Sequence, residues 1–323
     1  MSYAAGQTIL DDEYNDFAVG AASGTPTHTT RNIDSVWGSG TNNKGYGQST
    51  TLGSVSAGSS ITATQWDNMI DRLASIAAHQ GTSVTGHSAI TAGNTISIIS
   101  ALNTDITNTY ANRGNASASG ADNTASDTQT STWNGTITAT ATANFGTDAE
   151  ARYFFNAGGL LNMDFSTAAG SGAKDTGWAN LCAAAGPVWL SSAGTGGPAT
   201  SVTIAGTAYT GVDHKGTGSP NTETNTGFFG LTSSNQQLFM QSDSTYLYTA
   251  NDIRINYKYN GSGLVTMTVT FNDEANTTGH TGGTADPSVT IDITATIRAR
   301  QPSTTNISNT WGGAPVLSVT GLA

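Results

Sequence analysis

From Thr136 to Phe145 the chain reads TITATATANF, in which Ile137, Ala139, Ala141, Ala143 and Phe145 alternate with Thr136, Thr138, Thr140, Thr142 and Asn144. A period of two marks a strand with one buried face, because successive side chains leave the pleat in opposite directions. The same repeat governs Ile253, Ile255, Tyr257 and Tyr259, and, beyond Asn260-Gly-Ser-Gly263, Val265, Met267, Val269 and Phe271. Two such runs about a Gly-rich turn predict a hairpin. Val289, Ile291, Ile293, Ala295 and Ile297 give another strand. Residues 151–157 also alternate, with Ala151, Tyr153, Phe155 and Ala157 on one side, before Gly158-Gly159 turns the chain into Leu160–Phe165. Weaker strands are expected at 186–190, 202–209, 228–231 and 237–241. That many one-sided strands need a second sheet to cover them. The expected fold class is therefore mainly β: a C-terminal antiparallel β-sandwich, jelly-roll-like, preceded by a small helical N-terminal domain.

Helical signals concentrate before residue 113. A short helix is expected first, where Thr8 and Asp11 lie three apart like a weak capping box and Leu10, Tyr14 and Phe17 fall on one face. Thr62-x-x-Gln65 is a capping box, Trp66, Met69, Ile70, Leu73, Ile76 and Ala77 recur at three and four, and Gly81 can end the helix. Another helix is expected over 95–112, where Ile96, Ile99, Asn103, Ile106 and Tyr110 are spaced as a short heptad with one polar position and Leu102 lies beside them. Two uses of this seam stay open, packing on the preceding helix within one chain or joining subunits. The second use makes Trp66, Met69, Leu73, Ile99, Leu102, Ile106 and Tyr110 a candidate oligomer and docking interface. Ahead of the Thr62 helix a Gly/Ser/Thr/Asn tract, residues 20–60, carries Trp37 and Tyr46, aromatics that would pin a loop to its neighbour. The small, polar run GNASASGADNTASDTQTS reads as a linker. The expected division is 1–113 as a helical docking and oligomerisation region, 114–131 as linker and 132–323 as sandwich. One helix is expected inside the latter, over 175–185, with Trp178, Leu181 and Cys182 on one face.

Chemistry is sparse by comparison. The net charge of −11 and the absence of any Lys/Arg cluster leave no footprint for phosphate backbones, so nucleic acid is not an expected partner. A single cysteine excludes an intrachain disulfide. No run approaches the roughly 18 apolar residues of a membrane span, and the first residues lack the pattern of a signal peptide, so synthesis in the cytosol is expected. The five histidines are scattered, without metal-ligand spacing. Asp148 and Glu150 are a nominal carboxylate pair, and Asp273, Glu274 and Asp286 flank an oxygen-rich loop that lacks EF-hand spacing. No catalytic, cofactor-binding or metal-binding residue is assigned, and the chain is not expected to be an enzyme.

A family resemblance emerges from an ordered series of short motifs. These are GQTI (Gly6–Ile9), Tyr14-Asn15, VWGSG (Val36–Gly40), GYGQ (Gly45–Gln48), Ile61-Thr-Ala with Gln65-Trp66-Asp67-Asn68, and His79-Gln80-Gly81. They continue with ARYFFNAGG (Ala151–Gly159), Trp178-x-x-Leu181, Ala250-Asn251-Asp252, TVTFNDE (Thr268–Glu274) and IRARQP (Ile297–Pro302). Over nearly its whole length the chain resembles virion structural proteins of tailed phages of marine bacteria and cyanobacteria. The resemblance implies a tail-fibre, baseplate or neck component on the virion, assembled in the bacterial host cytoplasm beside other virion proteins. Many phage appendages are trimeric, so a homotrimer is the first expectation. The run Leu160-Leu161-Asn162-Met163 is more apolar than the resemblance implies, and suggests a face buried against another protein. The alternative function is a receptor-binding adhesin whose exposed aromatics, such as Trp189 or Tyr246, hold host-surface glycan.

Overall fold

The computed structural model describes residues 11–21, 27–89, 98–219, 221–244, 247–274 and 286–322. Among these the chain is mainly β, with antiparallel sheets. The Thr/Ala run forms β2 (Gly135–Asn144), which lies between β11 (Leu264–Asp273) and β13 (Val316–Thr320). On its buried face Ala139, Ala141 and Ala143 stand opposite Val269, Met267 and Val265. Small side chains there leave room for large ones across the ladder. On its other face Thr138, Thr140 and Thr142 stand opposite Thr270, Thr268 and Thr266, a polar ladder of β-branched residues that suits a half-wet sheet surface. The predicted hairpin joins β10 (Asp252–Tyr259) to β11. With β9 (Gln236–Ser242) and β8 (Asn221–Glu223) the sheet runs β13-β2-β11-β10-β9-β8.

The second sheet is built on β12 (Ile293–Pro302), flanked by β1 (Ser119–Gln129) and β3 (Leu160–Thr167), and continues to β4 (Val188–Leu190) and β7 (Val212–His214). Phe165 of β3 meets Phe271 of β11 edge-on, with ring centroids 5.6 Å apart. A small hairpin, β5 (Val202–Ile204) and β6 (Thr207–Tyr209), turns through Ala205-Gly206, both at positive φ, the twist that a two-residue turn requires. It covers Leu160 and Trp189 in a second, smaller apolar cluster.

The helices are α1 (Asp11–Val19), α2 (Ile33–Trp37), α3 (Ala63–Gln80), α4 (Ile99–Ala111), α5 (Asp148–Asn156) and α6 (Ala173–Ala185). The predicted capping box of α3 is present, and Gly81 closes the helix in the left-handed conformation. One contiguous core runs from Tyr14 on α1 to Leu322 after β13.

Four expectations need correction. Residues 151–156 are helix, because Thr147 caps the first turn and Ala151, Phe154 and Phe155 recur at helical spacing on the buried face. The span 114–131 contains the eleven-residue strand β1, not a linker only. Its polar side chains fit an edge position, where Thr128 bonds Thr294 of β12 (2.9 Å). Residues 228–230 form a 3-10 turn, with Phe228 stacked on Phe155 at 4.2 Å. Finally, Leu160, Leu161 and Met163 are fully buried within this chain, so no second protein is needed to cover them. Residues 8, 10 and 95–97, on which parts of two expected helices fall, lie outside the described residues.

Candidate functional site

A group of buried charge surrounds the first turn of α6. Lys174 donates from Nζ to Oδ2 of Asp273 at the end of β11 (2.8 Å), with side chains 1% and 0% exposed. Its backbone N–H donates to Asp286 (3.0 Å). Asp175 accepts from the N–H of Thr290 (2.8 Å) and from its hydroxyl (2.6 Å). Thus α6 is tied at one end to β11 and to the segment that leads into β12. Asp273 and Asp286, two of the three carboxylates flanking the oxygen-rich loop, serve these ties, while Glu274 accepts from Asn272 (2.7 Å). The loop itself, 275–285, lies outside the described residues. Among the described residues no group of three or more His, Cys, Asp or Glu could hold a metal.

The histidines play similar parts. His79, buried at the end of α3, donates from Nε2 to the carbonyl of Ala157 after α5 (3.0 Å). Burial pushes its pKa down to about 4, against the opposite pull of that bond. His28 lies 3.0 Å from Asp16, and His87 3.3 Å from Asp105, which also accepts from the N–H of Thr85. His214 lies 2.9 Å from Glu223. His280 lies outside the described residues. Cys182 is buried and burial pushes its thiol up to about 12, the state of an inert side chain rather than a nucleophile. Asp148 is bound by Arg152 (3.1 Å) and Tyr259 (2.7 Å), and Glu150 accepts from its own helix cap, Thr147 (2.7 Å).

Of the seven candidate interface residues, Trp66, Met69, Leu73, Leu102 and Ile106 are buried in the chain's own core. Ile99 and Tyr110 are half-buried and pack against it. The buried face of α4 is Leu102, Asp105, Ile106 and Thr109, and Asn103, the polar position of the heptad, is exposed. Tyr110 carries the guanidinium of Arg113 4.2 Å above its ring. Trp189 and Tyr246 are the aromatics expected to hold glycan in the alternative reading. Trp189 is 7% exposed, lying beneath the β5–β6 hairpin with Arg300 4.7 Å from its ring centre, and Tyr246 lies outside the described residues. Burial alone would raise the carboxyl of Asp122, but bonds from Arg300 and Arg298 hold it below the usual range.

Two buried amides carry structural duties that no sequence pattern marks. Asn15 makes a two-way clamp on Val55, donating to its carbonyl (2.9 Å) and accepting from its N–H (2.7 Å). Gln48 clamps Ser308 in the same way (2.8 and 2.9 Å). Neither shows in periodicity, although Asn15 falls in the Tyr14-Asn15 motif and Gln48 closes GYGQ. Among the described residues the one large apolar side chain that stands exposed is Val316, at 73%, on the edge strand β13. No described helix is long and apolar enough to cross a membrane. The chain matches no family model, no curated protein and no solved structure.

Proposed function

We propose that this chain is a structural component of a phage particle, a tail-fibre, baseplate or neck appendage protein. In this reading it is made in the bacterial host cytoplasm and carried on the virion, it acts as a building block rather than as an enzyme, and it needs no cofactor. The two sheets form a jelly-roll-like sandwich that projects, and the helical region α1–α4 docks onto neighbouring virion proteins. The observation that carries the reading is how the buried polar groups are used. Lys174, Asp175, His79 and Gln48 each fasten segments that lie far apart in the chain. A framework that must stay folded outside a cell gains from such clamps. The resemblance to virion proteins supports the same reading, as do the threonine ladder and the polar edge strand, surfaces kept wet by hydroxyls and amides.

Association as a homotrimer belongs to this proposal. Half-buried Ile99 and Tyr110, and exposed Val316, supply apolar surface for contacts, at about 25 cal/mol per Å² buried before the cost of association. Immunogold labelling of intact particles is the direct test, with label expected on an appendage. Purified particles that carry none of the chain would remove the virion assignment. Light-scattering mass tests the trimer separately, and a strict monomer at high concentration would remove it.

A further inference from the structure

Lys174 and Asp273 form the most deeply buried ion pair among the described residues, in contact at 2.8 Å. The surroundings are dry and aromatic. Trp178 lies one helical turn beyond Lys174, Phe271 shares the inward face of β11 with Asp273, both rings are fully buried, and their centroids are 6.2 Å apart. Two charges in such a place forfeit their hydration, a loss that is offset only when every lone pair is matched. Here the match is incomplete, because Oδ1 of Asp273 has no hydrogen-bond partner among the described residues.

We propose that Lys174 and Asp273 condense to an intramolecular isopeptide bond that joins Nζ to Cγ. One proton passes from the ammonium to the carboxylate across the 2.8 Å contact, which leaves a neutral amine and a carboxylic acid. The amine lone pair attacks Cγ, and the tetrahedral adduct expels its hydroxyl, which leaves as water with a proton from the nitrogen. A C–N bond forms, a C–O bond breaks and nothing is oxidised or reduced. An uncharged amide replaces two buried charges, so the dry setting that penalises the ion pair favours the product.

Positioning supplies the rest. The first turn of α6 is fixed by the bond from the Lys174 backbone to Asp286 and by both bonds from Thr290 to Asp175. Asp273 is fixed at the end of β11, opposite Gly135 of β2. Holding the reacting groups in contact turns a bimolecular condensation into an effectively unimolecular one. The bond would close a loop between residues 99 positions apart, in a chain whose one cysteine cannot form an internal disulfide. A tie of that span restricts the unfolded chain and so favours the folded one. The inference does not depend on the virion assignment.

The test is the intact mass of the purified full-length chain, folded and then denatured, followed by peptide mapping. The expected result is a mass one water below that encoded and a branched peptide that joins the Lys174 and Asp273 segments, with no tryptic cleavage after Lys174. Lys174→Met should restore the encoded mass and lower the denaturation midpoint. Two results on the unmutated chain would overturn the proposal: the full encoded mass, or a lost water located in a linear peptide, as a cyclic imide at an aspartate would give. Both are read on the unmutated chain, so they decide the matter even if the variant fails to fold.

Discussion

His79 has its ring buried against Tyr46, with centroids 5.1 Å apart, and is held neutral by burial to about pH 4. In the unfolded chain the same ring takes up a proton near pH 6.5, the ordinary histidine value. Between these limits the unfolded state binds more protons, so stability falls as pH drops from about 6.5 to about 4 and is flat outside that window for this group. A difference of that size is worth at most about 3 kcal/mol. His79→Gln keeps a donor for the Ala157 carbonyl but cannot titrate. Urea unfolding measured across this window should show a shallower pH slope in the variant, and parallel slopes would refute the assignment. Glycine offers a second residue-scale comparison. Gly47 and Gly53 share φ near +70°, but a Cβ on Gly47 would lie 2.5 Å from the Tyr153 ring, whereas one on Gly53 meets nothing within 4 Å. Gly53→Ala should cost roughly 1 kcal/mol, the strain of a left-handed residue alone. Gly47→Ala adds a clash with a ring packed on the core, for a total on the order of 3 kcal/mol. Equal thermal shifts in the two variants would show that the ring yields without cost.

At the scale of elements, α5 shows how a cap can decide between two periodicities. Residues 151–157 alternate well enough to suggest a strand, yet Thr147 accepts from the N–H of Glu150 (3.2 Å) and places Asp148 and Glu150 in the first turn, where the helix dipole favours them. Thr147→Ala should destabilise the fold by about 1 kcal/mol, whereas Thr147→Asp, which keeps the capping oxygen, should not. Denaturant midpoints of the two variants provide the check. The signal for this helix was therefore present in Thr147-x-x-Glu150, four residues ahead of a run whose aromatics obscured it. Strand β1 was hidden for a different reason. At a sheet edge its side chains need no apolar stripe, and its place is set by pairing with β12, as Asp127 opposite Ala295 and Thr128 opposite Thr294 show. Hydrophobic periodicity cannot report a strand that buries little. Where one face is fully buried, as in β2, β10, β11 and α3, the pattern led directly to the element and to its inward residues. The clamps were illegible because they join residues distant in sequence, such as Lys174 with Asp273, and no local spacing announces them.

For the whole molecule, the consequence of those clamps is that the helical N-terminal region and the sheets stabilise each other. Asn156 of α5 donates to the carbonyls of Asn42 and Gly45 (3.2 and 3.0 Å), Gln48 clamps Ser308, and the N–H of Ser117 donates to the carbonyl of His79 (2.7 Å). Arg113, at the end of α4, donates to the carbonyl of Asn43 (3.1 Å), and Asn43 in turn reaches the carbonyls of Gly196 and Gly197 (both 2.8 Å). The apolar core crosses between the two regions without a break. A fragment of residues 132–323 would lose β1 from the side of β12, leave that strand's edge unpaired, and uncover the side of α5 that grips the 42–47 loop. Unpaired edges and exposed core invite aggregation rather than independent folding. The full chain should therefore unfold in one transition, with tryptophan fluorescence and far-ultraviolet circular dichroism tracing the same curve. The 132–323 fragment should show no cooperative transition, and restoring residues 114–131 alone should repair the edge at β12 but not the α5 face. A fragment 132–323 that melts as cooperatively as the intact protein would mean that the sheets stand alone, and that the contacts from Gln48, Asn43 and His79 dock one finished unit onto another.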